Sequence, residues 1–96
     1  LDLKVGISYD ADLRKAKKLI EDMLRSDEAI IQDEDVKVFV DSLADSSVVI
    51  GLRAWVPTDK YWAARWRLLE EIKLTFDDEG IEIPYDQLTV HVKKEE

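Results

Sequence analysis

The sequence predicts an α+β fold of the ferredoxin-like βαββαβ type, in which an antiparallel sheet carries two helices on one face. This fold is predicted by the strand-like and helix-like periodicities of the sequence and by their order along the chain. Four short segments alternate side chains with the period of a strand, and two longer segments repeat apolar residues at helical spacing. Residues 1–86 are predicted to form this domain, and residues 87–96 a C-terminal strand and tail.

The predicted centre of the sheet is residues 46–56, the longest apolar and β-branched run in the chain. Every second residue there is apolar, so one face of the strand should be buried: Val48, Ile50, Leu52, Ala54 and Val56. The other face is mixed, which is typical of a sheet with one covered and one partly open side. Pro57 has no N–H to donate to a ladder and is predicted to end the strand.

The flanking strands are predicted from the same alternation. Residues 1–10 and 36–43 place apolar and polar side chains on opposite faces. The short connection at residues 44–47 predicts an antiparallel hairpin between the second strand and the central one. After a short extended piece at residues 81–84, a last strand is predicted at residues 88–92.

The first predicted helix covers residues 11–25, with Asp10 as its candidate N-cap. One apolar stripe at helical spacing should face the sheet: Leu13, Ala16, Leu19, Ile20, Met23 and Leu24. Four basic residues lie off that stripe: Arg14, Lys15, Lys17 and Lys18. They are open to interpretation as an anion or membrane-surface patch, but the preferred interpretation is a solvated face with acidic partners one turn on.

The second predicted helix covers residues 60–79, with Thr58 or Asp59 as its cap and Gly80 as its left-handed stop. Its apolar stripe is interpreted as core rather than as a ligand wall: Tyr61, Trp62, Trp66, Leu68, Leu69, Ile72 and Phe76. Both helices then cover the buried face of the central strand.

Composition excludes several functions. The net charge of -8 disfavours binding to nucleic acid or anionic lipid, and the absence of Cys excludes disulfides and thiolate metal sites. The single histidine, His91, has no second imidazole to share a metal with, and no catalytic set or phosphate-binding glycine loop is present. Five carboxylates in residues 26–35 lack the glycine and ligand spacing of a calcium loop and are expected to be solvated. We therefore expect no enzyme, metal or cofactor.

A contact surface is predicted on the sheet face opposite the helices. Phe39 and Trp55 should lie there beside Arg53, and apolar residues in such a setting often mark an interface. We hypothesise that these three residues face another domain or subunit.

Six short motifs follow one another along almost the whole chain: VGISYD at 5–10, LADSSV at 43–48, LRAWV at 52–56, YW at 61–62, LLEEIK at 68–73 and GIEIPY at 80–85. Each motif is weak alone, but the set, in this order and spacing, resembles the C-terminal α/β domain of the small-conductance mechanosensitive channel (MscS) family. One departure is Asp86, where the family often has proline, and it leaves the path of the last strand open.

The resemblance implies properties that the residues alone do not. Such domains lie on the cytoplasmic side of a membrane pore, and seven copies enclose a hollow vestibule. The segment matching Thr89, Val90, His91 and Val92 contributes one strand to a barrel on the symmetry axis. The implied partners are other subunits of the same channel, and contact with a membrane would come only through transmembrane segments outside these residues. A start at Leu1 also suggests a piece of a longer protein.

Two other functions remain open at the level of sequence. The chain could be a soluble ferredoxin-like regulatory domain that binds a ligand or a partner strand. It could equally be an engineered protein on the family's scaffold, and nothing in the sequence separates that from a natural fragment.

Overall fold

A computed structural model of the chain describes residues 1–84, and its elements follow the predicted order. They are β1 (Asp2–Ile7), α1 (Leu13–Ser26), β2 (Lys37–Leu43), β3 (Val48–Arg53) and α2 (Tyr61–Asp78). The predicted strand at residues 88–92 and the predicted boundary after residue 86 lie outside the described residues. Within the described part, the α+β class and the antiparallel sheet with two helices are confirmed.

The sheet has the order β1-β3-β2, and both outer strands run antiparallel to β3. The valine-rich strand is therefore the central one, as predicted, although it ends at Arg53 rather than reaching residue 56. Its hairpin with β2 contains a bulge, because Val40 pairs with Ile50 while Ser42 pairs with Val49 and leaves Asp41 as an extra residue. Alternation along the sequence does not reveal such an insertion.

One core lies between the sheet and the helices. Along β3 and one residue beyond it the predicted alternation holds, since Val48, Ile50, Leu52 and Ala54 are at most 8% exposed. The other elements complete the same cluster with these buried residues: Leu3, Val5 and Ile7 of β1, Ala16, Ile20, Met23 and Leu24 of α1, and Leu68, Ile72 and Phe76 of α2. Ile30 and Ile81 close it from the loops.

The first helix matches its predicted stripe but not its predicted cap. Asp12, not Asp10, is the N-cap, and its carboxylate accepts a hydrogen bond from the Lys15 N–H at 3.1 Å. The preceding residues explain the shift, because the Asp10 N–H is taken by Ser8 Oγ and the Ala11 N–H by the Ser8 carbonyl. That turn moves the first helical residue to Leu13.

The second helix differs from its prediction in two respects. It begins after a 3₁₀ turn at Thr58–Lys60 with no side-chain cap, so neither Thr58 nor Asp59 caps it. Its buried residues are Ala64, Leu68, Ile72 and Phe76, a series at four-residue steps. Trp62 and Trp66 are 59% and 63% exposed, so their assignment to the core is wrong. The spacing is helical in both cases, but the series that contains Ala64 is the one that faces the sheet.

After α2 the chain returns to the free edge of β1. Gly80 has a φ of 76°, the left-handed conformation predicted for the helix stop, and Ile81 enters the core. The Ser8 N–H then donates to the Glu82 carbonyl at 2.9 Å. Pro84, two residues on, has no N–H to donate, so it cannot extend this pairing as an ordinary strand residue would.

Candidate interaction surfaces

The open face of the sheet carries Phe39 near its centre. Phe39 pairs with Gly51 across β2 and β3, and its half-buried ring fills the space that a side chain at Gly51 would need. A Cβ built on Gly51 would lie 2.6 Å from Phe39 Cε2, well inside van der Waals contact. The ring of Phe39 therefore packs over Gly51, and a larger residue at position 51 would displace it.

Arg53 lies on the same face and is engaged within the chain. Its Nε donates to the Asp2 carboxylate at 2.7 Å, and both side chains are more than half exposed. This hydrogen bond lowers the pKa of the Asp2 carboxyl and raises the pKa of the Arg53 guanidinium. A second ion pair, between Lys4 and Asp41 at 3.4 Å, crosses the same face. Arg53, the one cation among the three residues of the predicted contact surface, thus pairs with Asp2 of its own chain.

Trp55 lies two residues beyond the end of β3 and is 55% exposed. Its neighbour Ala54 is buried, so the alternation of buried and exposed residues continues just past the end of the strand. The Trp55 carbonyl accepts a hydrogen bond from the Ile31 N–H at 2.8 Å, which ties this position to the loop after α1. The backbone at Trp55 is anchored while its side chain remains available.

The structure therefore places Phe39 and Arg53 on the open face of the sheet and leaves Trp55 exposed just beyond the end of β3. The other four predicted interface residues, Thr89, Val90, His91 and Val92, lie outside the described residues. Whether any of the seven contacts a partner stays a prediction.

Sequence analysis missed an aromatic cluster on α2. The rings of Trp62 and Trp66 lie 6.0 Å apart, Tyr61 meets Trp62 edge-on at 5.1 Å, and Leu69 is 38% exposed beside them. The signal that could have found it is the unbroken series Ala64, Leu68, Ile72, Phe76. Once that series faces the sheet, Trp62 and Trp66 fall roughly 100–140° around the helix from its centre.

A cleft of about 590 Å³ separates the end of α1 from the start of α2, and one ion pair crosses it. Asp27 accepts two hydrogen bonds from Arg67 at 2.6 and 2.7 Å, and its side chain is only 5% exposed. The contact raises the pKa of Arg67, chiefly through the hydrogen bond. The expectation that all five loop carboxylates are solvated is therefore wrong for Asp27, because Arg67 reaches it from forty residues away in sequence.

Three basic residues of α1 line a shallow groove of about 320 Å³ beside β2. Lys18 pairs with Asp22 at 3.0 Å, as the helical spacing suggested, while Lys15 reaches Glu79 beyond the end of α2 at 3.0 Å. Arg14 and Lys17 line the groove with Lys18, Glu21 and Val38.

Residues 1–84 contain no group of three or more metal-ligating side chains close enough to hold an ion. In the same range, no helix combines the length and the apolar character of a membrane span. What the described part offers is a set of surfaces: the open sheet face, the aromatic cluster and two polar depressions. Fold and surfaces together define a small α+β module with two helices on one face of an antiparallel sheet.

Comparison with known proteins identifies the family. The family model for the C-terminal domain of the mechanosensitive ion channel MscS matches residues 1–83, so the chain belongs to this family. A small-conductance mechanosensitive channel of Edwardsiella ictaluri is 34% identical over 92 residues, which cover 96% of this chain and 32% of that protein. An uncharacterized MscS family protein of Archaeoglobus fulgidus is 37% identical over 86 residues, which cover 90% of this chain and 30% of that protein.

A solved structure has the same fold. The crystal structure of Helicobacter pylori MscS in its closed state superimposes with a TM-score of 0.81 at 26% identity, over 88% of this chain and 34% of that chain. The chain spans about a third of the length of the relatives it matches. The resemblance noted from sequence motifs is thereby confirmed as family membership.

Proposed function

We propose that this chain is the vestibule and assembly domain of a mechanosensitive channel subunit, on the cytoplasmic side of the membrane and without enzymatic activity. Family membership over residues 1–83 supports the assignment to a channel. The partners in this proposal are other subunits of the same channel, assembled as a homo-heptamer. The membrane pore would come from parts of the relatives that this chain does not match.

The observation that carries the assembly role is the open sheet face. Trp55 is 55% exposed although the backbone around it is fixed, and Phe39 is held against Gly51 in the same layer. Large aromatic side chains that stay exposed on a rigid support are typical of protein interfaces. We propose that Phe39, Arg53 and Trp55 face a neighbouring domain or subunit, and that Thr89–Val92 adds a strand to the assembly.

The test is Trp55→Ala in a full-length channel that contains this domain, with the yield of intact heptamer measured by native mass spectrometry. We expect a lower yield, because an aromatic anchor at an interface contributes more than its neighbours. Leu43→Ala is the matched control, since Leu43 is 71% exposed at the end of β2, away from Trp55 in sequence. An unchanged heptamer yield for a folded Trp55→Ala channel would remove Trp55 from the interface.

One feature favours the alternative of a ligand-binding regulatory domain. The cleft between α1 and α2 has a volume of about 590 Å³, within the range of small-molecule sites. Against this, Arg67 and Asp27 already satisfy each other across it. A thermal-shift screen of small polar solutes separates the two functions, because a ligand that binds the folded state raises the melting temperature by mass action, and more so as its concentration rises above Kd.

A further inference from the structure

The groove on α1 is a concentration of positive charge on an acidic chain. Arg14, Lys17 and Lys18 line it, and Val38 of β2 forms an apolar part of its wall. Among residues 1–84, neither Arg14 nor Lys17 has a carboxylate within ion-pair distance. Lys18 pairs only with its own helix, through Asp22. We call these residues, with Glu21, the basic groove.

The loop between α1 and β2 carries the opposite charge. Asp33, Glu34 and Asp35 are consecutive and exposed, and none of them forms an ion pair with the described part of the chain. The turn that presents them is fixed, because the Glu34 N–H donates to the Ile31 carbonyl at 3.3 Å and the Ile31 N–H donates to Trp55. We call Asp33–Asp35 the acidic turn.

We propose that the acidic turn of one copy of this chain binds the basic groove of a second copy. The inference rests on the proposed assembly function and names one contact within it. Within residues 1–84 of a single copy, no ion pair joins the two surfaces, and neither Arg14, Lys17 nor the carboxylates of the acidic turn pair with another described residue. Charge complementarity selects the partner, and the exposed apolar Ile31 before the turn can lie against Val38 in the groove.

The two surfaces differ, so the contact is head to tail. Such heterologous contacts generate a closed ring when the rotation between copies permits closure, and an open filament when it does not. Each copy would then give its turn to one neighbour and its groove to the other, which is the arrangement that a ring of identical subunits requires. A two-fold dimer would instead use one self-complementary surface.

A charge-swap experiment tests the contact. The first variant, Arg14→Glu with Lys17→Glu, makes the groove acidic; the second, Asp33→Lys with Glu34→Lys, makes the turn basic. We expect either variant alone to associate about tenfold more weakly than the natural chain, since about 1.4 kcal/mol spread over several exposed ion pairs is a factor of ten. An equimolar mixture should recover association, because each reversed surface then meets its complement. Sedimentation velocity at low salt measures both.

The design separates specific pairing from net charge. The first variant is more negative than the natural chain and the second is less negative, so net charge alone predicts that the second associates more strongly. A matched control, Arg25→Glu with Lys60→Glu, makes the same charge change as the first variant at exposed positions outside the groove. Association as weak in this control as in the first variant would overturn the proposal, and so would a mixture that associates no better than its components.

Carbodiimide cross-linking locates the contact directly, because the reagent joins an amine to a carboxylate that touches it. In a mixture of chains with natural and heavy nitrogen, we expect peptides containing Lys17 or Lys18 joined to the acidic turn across the two isotopes. Links confined to one isotope would place the contact within a copy and overturn the proposal.

A membrane is the alternative partner of the basic groove. If the natural chain binds phosphatidylserine vesicles through the groove and the mixture of charge-swapped variants does not recover association, the partner is a membrane and the proposal is overturned. Heptamer loss on Trp55→Ala does not depend on this outcome, so the two proposals fail separately.

Discussion

The two helices cover the same face of the sheet but differ in how many of their apolar side chains are buried. On α1 every apolar residue is buried or half-buried, and the helix begins with a side-chain cap from Asp12. On α2 the buried series is accompanied by exposed apolar side chains, namely Trp62, Trp66, Leu69 and Leu74. No side chain caps the start of this helix. When a helix has one narrow apolar stripe, that stripe identifies its buried face. When a helix carries more apolar residues than the core can bury, the apolar pattern alone does not identify that face.

The largest expected effect compares two aromatic residues of α2. Phe76→Ala should lower the free energy of unfolding by about 3–5 kcal/mol, because it opens a cavity in a fully buried site. Trp66→Ala should lower it by less than about 1 kcal/mol, since the Trp66 side chain is 63% exposed and its ring lies beside that of Trp62, which is exposed as well. Urea unfolding of both variants, followed by far-ultraviolet circular dichroism, measures the two values. Equal losses would mean that the indole is packed in the core after all.

A smaller effect is expected where α2 holds the loop after α1. Arg67→Ala removes the only ion-pair partner that residues 1–84 give to Asp27, whose side chain is 5% exposed. We expect a loss of about 1–2 kcal/mol in unfolding free energy, below the value for a fully buried pair because Arg67 itself is half exposed. The matched variant is Lys73→Ala, which breaks the exposed pair with Asp77 on the same helix and should change stability little. A similar response from both variants would show that the Asp27 contact does not fasten the loop.

Much of this fold could be predicted because its determinants are local. The alternation of β3 gave its buried face, the stripe of α1 gave its orientation, and Gly80 marked the end of α2. What could not be predicted is set by how segments pair in three dimensions: the partner of Asp27 and the extra residue at Asp41. On α2 two helical series were possible, and the unbroken one, which contains Ala64, is the buried one. Phe39, Arg53 and Trp55 were placed on one face by periodicity, but the ion pair of Arg53 with Asp2 depends on the register of β1 against β3.

The start of each helix provides the next test. Asp12→Ala should cost about 1 kcal/mol of stability, because the Lys15 N–H loses the carboxylate that caps it. On α2 the corresponding change, Asp59→Ala, should cost much less, since no side chain caps that helix and the 3₁₀ turn supplies backbone hydrogen bonds instead. Thermal melts of the two variants side by side measure the contrast. Two equal losses would contradict the difference between the helix starts.

The smallest expected effect is a titration on α1. The hydrogen bond from Lys18 to Asp22 raises the pKa of the Lys18 ammonium above its ordinary value of 10.5. A group that binds its proton more tightly in the folded state stabilises the fold below its unfolded pKa, and this contribution disappears as the pH rises through the folded pKa. Asp22→Asn should therefore return the pKa of Lys18 toward its ordinary value and remove the loss of stability in that alkaline range.

Nitrogen-15 NMR of the lysine side chains measures this pKa directly, in the natural chain and in the Asp22→Asn variant. The two chains differ only at residue 22, so a difference in the pKa of Lys18 between them comes from the Asp22 carboxylate. The pKa of Lys18 should be higher in the natural chain than in the variant. If it is the same in both, the contact at 3.0 Å is too rarely formed in solution to hold the proton, and this ion pair adds nothing to the stability of α1.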